Sequence, residues 1–270
     1  MTIALTATAH RPSPILLAVT IAVTLFTIVP MVLSVTAGLI NNYSVGIRSG
    51  FTTRWVVEVW SAYGDTVWRS LLLAACCVAG TLLLGVPAAY ALARSRSRWL
   101  RLFEELLTLP VAVPGLATAL ALILVYGQLR GFRGSFAFIL AGHLVFTLPF
   151  MVRTVGAAFA RPELTALEEA ARSLGANFRQ RFLGILVPAV LPSIAAGSLM
   201  VFTLSVGEFN LTWMLHTPLT RTLPVGLADS YASMRLEVGS AYTLLFFAVV
   251  LPVLWFLQWI VQILERRHGT

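Results

Sequence analysis

Six stretches of this chain contain no Asp, Glu, Lys or Arg: residues 12–47, 70–93, 106–129, 134–152, 182–207 and 238–264. A helix that crosses a hydrocarbon layer needs about 20 mostly apolar residues, and each stretch can supply one. The runs are continuous rather than alternating, which argues against a membrane β-barrel. The expectation is an all-α membrane protein with six transmembrane helices. The composition agrees, with 58% hydrophobic and 11% charged residues against about a quarter charged in soluble domains. The first run is far longer than the 7–15 apolar residues, roughly, of a signal peptide, so it reads as a retained helix despite a loose cleavage-like Val35-Thr36-Ala37.

Every one of the 19 basic residues is arginine. With the N-terminus inside, twelve of them fall in the inner segments 1–13, 94–105, 153–181 and 265–270, and seven in the outer ones. The positive-inside rule therefore places both termini in the cytoplasm, and "RSRSRWLR" (Arg94, Arg96, Arg98 and Arg101) decides it. The net charge of +8 is thereby assigned to orientation, with no nucleic-acid partner. Trp55, Trp60 and Trp68 read as interfacial anchors of the first outer loop. Cys76 and Cys77 are adjacent in mid-helix and point in different directions, which reads as packing rather than a disulfide or metal site.

The absences matter as much. Without lysine the chain cannot carry a P-loop, whose lysine reaches the terminal phosphates, nor form a lysine Schiff base. His10, His143, His216 and His268 lie far apart, so no zinc-hydrolase pattern forms, and no G-x-S-x-G occurs. The chain reads as non-catalytic, with no cofactor or metal of its own.

One polar stretch looks built: "LEEAARSLGANFRQRFLGILVP", residues 167–188. Pro162 can open a helix, Glu163, Glu168 and Glu169 favour its N-terminal half, and Leu164, Leu167, Ala171 and Leu174 form one apolar stripe. Gly175 should stop the helix, and Asn177 with Gln180 should cap a second one. An amphipathic helix lying in lipid would favour bulky anchors and a basic face. This one has small residues and paired glutamates, which suit a protein partner.

The spacing Glu169-Ala170-Ala171, then Gly175, Ile185 and Pro188, resembles the EAA loop of binding-protein-dependent (MetI-like) ABC importer permeases, with Val187 where leucine usually stands. "GVPAAYALARSR" (85–96), "LPVAVPGLATALAL" (109–122) and "GEFNLTWML…TRTLPVGLADSY" (207–231) resemble further segments of that family, over about residues 60–264. The resemblance implies a type I importer fold: a single permease domain, 1–270, in the bacterial inner membrane, with coupling loop 153–188. In that family the loop docks on a separate ATPase. Glu168, Glu169, Ala170, Ala171, Leu174 and Gly175 are therefore the expected coupling residues, with ATP and Mg on the partner. Two ATPase copies, a second permease (a paralogue rather than an identical copy) and a periplasmic solute-binding protein are the expected partners. "GHLVFTLPFMVRTVGAAFARPE" (142–163) resembles permeases for 2-aminoethylphosphonate, then polyamines and ferric iron.

Pro87, Pro110, Pro114, Pro149, Pro192 and Pro252 lie in or beside the runs. Pro110 and Pro114 with Gly115 are the expected bend, which lines the translocation path or only shapes the bundle. His143 is either a hydrogen-bonded packing residue or a pore contact. Glu208 and Asn210 either cap a helix or face the path. A stand-alone secondary carrier or channel would instead show ionisable residues deep in the spans or an inverted repeat; a membrane enzyme lacks a catalytic constellation.

Overall fold

A computed structural model describes residues 13–95 and 97–268. The first twelve residues, and with them His10, lie outside the described residues, as does Arg96 of the arginine cluster. Fourteen α-helices, α1 to α14, are joined by short turns, and the described residues hold no strand beyond one isolated bridge, Ile40 to Phe51. In chain order they are α1 (Pro14–Ala37), α2 (Arg54–Tyr63), α3 (Asp65–Arg94), α4 (Arg98–Ala112), α5 (Gly115–Tyr126), α6 (Arg130–Arg133), α7 (Phe136–Phe159), α8 (Pro162–Ser173), α9 (Phe178–Arg181), α10 (Val187–Ala189), α11 (Leu191–Gly207), α12 (Asn210–Leu215), α13 (Leu223–Ala232) and α14 (Leu236–His268).

Among the described residues four helices, α1, α3, α7 and α14, are each long and apolar enough to cross a membrane, and there are six such spans if each of two bent pairs counts as one. The first bend falls in the third run, where Pro110 and Pro114 with Gly115 are the expected bend; the second corrects the reading of the fifth run as a simple helix. α4 and α5 meet at 111°. Pro114 disfavours helical geometry in the residue before it, and Val113 is extended, with ψ 134°. Pro110 stays inside α4, so the break falls at Pro114 alone. The helix also begins within the arginine cluster, at Arg98, rather than after it. The fifth run bends by 69° between residues 189 and 191. Pro188 has no N–H to donate to the carbonyl four residues back. Its neighbour Val187 donates instead to Phe182 O, closing a π-turn over Phe182–Leu186. α7 continues to Phe159, so the expected loop from Arg153 begins as helix.

α3, α7 and α11 form the centre. Cys77, Val86, Ala89, Met151, Val155 and Val201 are buried between them. Glycines let these helices approach closely: a Cβ on Gly85 would lie 2.9 Å from Met151 Cγ, and one on Gly142 would lie 2.6 Å from Leu215 Cδ1.

The end of the bundle away from α8 carries a folded cap rather than an open loop. Val59 of α2 is buried with Leu223, Val238 and Tyr242. Arg235 pairs with Glu58, and Arg221 Nε lies 3.5 Å from Asp229. Trp55 is a correction here. It packs into this layer, with its indole N–H donating to Ile40 O at 3.0 Å, while Trp60 and Trp68 remain exposed as expected.

α1 is largely bare along its length, and its last turns lie against α14. A Cβ on Gly38 would stand 2.6 Å from Ala241 N and 2.7 Å from Ser240 C, both backbone atoms that cannot swing aside. Gly38→Ala should therefore push α1 off α14 and destabilise the protein by about 1–3 kcal/mol, the usual range for overpacking. Thermal unfolding of the purified protein checks this; an unchanged midpoint would contradict the packing.

Candidate functional site

The polar stretch folds into an elbow. α8 ends in a Schellman motif, in which Ala176 N–H donates to Ala171 O at 3.1 Å and Gly175 N–H to Arg172 O at 3.0 Å. Gly175 has φ +82°, a conformation that costs an L-residue about 1–2 kcal/mol. A capping box then starts α9: Asn177 Oδ1 accepts from Gln180 N–H at 2.9 Å, and Gln180 Oε1 from Asn177 N–H at 2.8 Å. Nothing lies within 4 Å of a Cβ built on Gly175. Gly175→Ala should thus strain the turn without a clash. The expected result is faster protease cleavage between residues 173 and 178, with the helices around it unaffected; equal rates would contradict the strain.

The phase of α8 differs from the expected stripe. Leu164, Glu168 and Ala171, spaced i, i+4 and i+7, face the bundle. Leu167, Ala170 and Leu174 are exposed, Leu174 at 88%. Glu168, one of the expected coupling residues, is thus turned inward, and Ala171, another, is packed at 8% exposure. Glu169 and Gly175 stay exposed.

The reason is a set of partners far away in sequence. Tyr90 Oη donates to Glu168 Oε1 at 2.5 Å and Arg94 Nε to Glu168 Oε2 at 2.7 Å. Arg181 Nε lies 3.8 Å from the same carboxylate. Glu168, Arg94 and Arg181 keep 13%, 19% and 16% side-chain exposure, so this is not a solvated surface pair of little worth. Burial alone would raise the Glu168 carboxyl, but the Tyr90 and Arg94 hydrogen bonds and the two guanidinium charges outweigh it and hold the group below its ordinary value. The contribution is complete above the ordinary glutamate value of about 4.3 and is lost only as pH falls through the lower folded one.

A second constellation lies near the other end of α7. Pro114 O accepts from Ala117 and Thr118 N–H, starting α5. A Cβ on the next residue, Gly115, would lie 3.1 Å from Glu208 Oε1 and 3.3 Å from Asn210 Cβ. The fold therefore brings the Pro114 break against Glu208 and Asn210. Glu208 caps α12, its oxygens accepting from Leu211 N–H at 3.1 Å and Thr212 N–H at 3.4 Å, while Asn210 is exposed. His143 is buried and bonded on both ring nitrogens: Nδ1 to Ser205 Oγ and Nε2 to Thr212 Oγ1, each at 2.8 Å. It stitches α7 to α11 and α12, as a packing histidine does.

Sequence reasoning missed Arg133. It donates to Leu215 O at 2.8 Å and Met214 O at 3.2 Å, closing the C-terminus of α12, where a cation is favoured. An arginine at the end of the short α6 carries no local sign of that partner. Cys76 and Cys77 are free, and Cys77 Sγ sits 3.1 Å from Thr147 Oγ1. Among the described residues no three His, Cys, Asp or Glu side chains are grouped to hold a metal.

The family described as binding-protein-dependent transport system inner membrane component matches residues 81–269, a stretch that holds the elbow, the Pro114 break and α12. The chain belongs to this family. It is an inner-membrane permease subunit of an ABC importer. Among its relatives, the putrescine transport system permease protein PotI of Escherichia coli K12 is 29% identical over 247 residues, covering 87% of this chain and 85% of that one. The putative 2-aminoethylphosphonate transport system permease protein PhnV of Salmonella typhimurium is 26% identical over 244 residues, 90% and 92% of the two chains. A chain from the crystal structure of a bacterial ABC transporter importing the acidic polysaccharide alginate superposes with TM-score 0.70 at 19% identity, over 90% of this permease and 94% of that chain. That likeness concerns the fold.

Proposed function

We propose that this permease moves a small charged solute from a periplasmic binding protein into the cytoplasm, driven by an ATPase that docks on the α8–Gly175–α9 elbow. The observation that carries the reading is the exposed row Leu167, Ala170 and Leu174, with the Glu168 carboxylate withdrawn behind it. A helix that turns Glu168 inward and offers water two leucines and an alanine is shaped for a protein groove. Glu169 stands exposed beside the row to meet a cation. The arginine distribution puts this elbow and both termini in the cytoplasm. Binding of ATP and Mg falls to the partner, and two ATPase subunits and a second permease, a paralogue, complete the assembly.

In this reading the Pro114 break and the Glu208–Asn210 corner form the gate, with Asn210 open to the path. His143, the side chain a proton-coupled carrier would want, has both ring nitrogens occupied, which disfavours the secondary-carrier reading. For cargo, 2-aminoethylphosphonate comes first, then polyamines, then ferric iron. The names of PhnV and PotI support charged, nitrogen-bearing solutes as a class, and they differ in the sign and number of charges.

Reconstitution tests the cargo. The complex in proteoliposomes, supplied with the binding protein from its own operon, should take up labelled 2-aminoethylphosphonate in an ATP-dependent, saturable way. Uptake of putrescine or ferric iron in its place would move the cargo down the order given. Uptake of a neutral sugar alone would remove the charged-solute reading.

A further inference from the structure

Glu168 sits where four helix ends meet. Its carboxylate is held by Tyr90 and Arg94 from the last two turns of α3. Arg94 Nη1 also donates to Phe159 O, the final carbonyl of α7, at 2.6 Å. On the other side Arg181 of α9 donates through Nη1 to Ala176 O at 2.7 Å, inside the elbow, and lies 3.8 Å from Glu168. The Tyr90 ring packs on Phe159, Phe178 and Phe182, with centroids 5.6, 5.8 and 5.1 Å away. Arg94 Nη2 and Arg181 Nε are buried without a hydrogen-bond partner. One anion thus serves two buried cations.

From this arrangement we propose that Glu168 is a positioning residue for coupling: a pin through which displacement of α8 is delivered to α3 and α7. The inference rests on the docking reading above but assigns a different task. The exposed row holds the ATPase, and the pin passes the movement on. Elsewhere on α8, Leu164 and Ala171 make apolar contacts with the bundle. Such contacts are non-directional and let a helix slide. The charge-assisted bonds to Tyr90 and Arg94 are directional and roughly twice as strong as neutral ones, so α8 cannot shift without drawing the end of α3 with it. The Arg94 bond to Phe159 O then carries the shift to α7, whose far portion carries His143, bonded to Thr212 of α12 beside the gate. Removing the carboxylate should leave docking intact and break transmission, a split that loss of folding would not produce.

The test uses the purified complex in lipid nanodiscs with Asn210→Cys as reporter, labelled by a membrane-impermeant maleimide with and without ATP–vanadate. A reporter-free control sets the background from Cys76 and Cys77. With Glu168 present, the labelling rate should change by about fivefold or more, the low end of typical coupling between sites. In Glu168→Gln the ATPase should still copurify and hydrolyse ATP, while the nucleotide-dependent change disappears. Tyr90→Phe removes one bond and keeps the ring; it should reduce the change without abolishing it, and it decides the matter should Glu168→Gln fail to assemble. A change of wild-type size in the variants that assemble overturns the pin while leaving docking in place. A parent complex with no bound ATPase, or with no response to nucleotide, overturns the docking reading and the pin together.

Discussion

Replacing Ala170 with tryptophan is expected to strip the ATPase from the purified complex while leaving the permease folded. Ala170 is exposed between Leu167 and Leu174, so a large side chain there meets no neighbour in this chain. It does meet whatever groove receives the row. A misfit at the centre of an interface falls where binding energy concentrates, and a loss of about 1.4 kcal/mol already means tenfold weaker retention. Retained ATPase should fall by at least that factor, read by copurification, with thermal unfolding unchanged. Ala171→Trp gives the internal contrast. That residue is 8% exposed, so the ring must displace α8 from the bundle, and both folding and docking should suffer. Equal retention in Ala170→Trp and wild type would mean that the exposed row does not face the ATPase.

His143→Leu carries the second large effect, at the other constellation. Leucine keeps much of the volume but none of the bonds. Thr212 Oγ1 donates to Glu208 O at 3.1 Å, so the network assigns the ring proton to Nε2, which donates to Thr212, and Nδ1 accepts from Ser205. In the variant the Ser205 hydroxyl loses its acceptor inside the bundle, at about 1–3 kcal/mol for a buried group left unmade, and α12 loses its hydrogen-bonded tie to His143 of α7. The expected result is a lower unfolding midpoint together with faster amide exchange at Leu211 and Thr212. A fall in midpoint without faster exchange there would show that His143 fills space but does not hold α12.

What the sequence disclosed and what it hid divide along a physical line. Features set by neighbours within four residues were legible. The charge-free runs predicted the spans, Pro162 the start of α8, Gly175 its end and Asn177–Gln180 the capping box, because each depends on local backbone chemistry. Features set by distant partners were not. The spacing of Leu164, Leu167, Ala171 and Leu174 admits a single stripe, yet the inward row takes in Glu168, because its Tyr90 and Arg94 partners lie 78 and 74 residues away. The same holds for Arg133, whose acceptors on α12 are about 80 residues distant. Trp55 reads as an interfacial anchor until the fold brings Ile40 O to its indole. Prolines were intermediate. A break near Pro110 and Pro114 could be expected, but the choice of Pro114 shows only in the fold, where Val113 is extended and Gly115 lies against Glu208 and Asn210.

The central claim is that this chain does no chemistry and works by receiving a separate ATPase on its elbow. Copurification of the tagged chain from its native operon, with ATP turnover measured on wild type, Glu169→Arg and Gly175→Asp, tests it most directly. The account predicts that wild type brings down a polypeptide with a P-loop, that all ATP hydrolysis resides in that polypeptide, and that the variants lose it or its stimulation. A chain that purifies without any ATPase and still moves solute across a membrane, with both variants behaving as wild type, would contradict the account and leave a secondary carrier in its place.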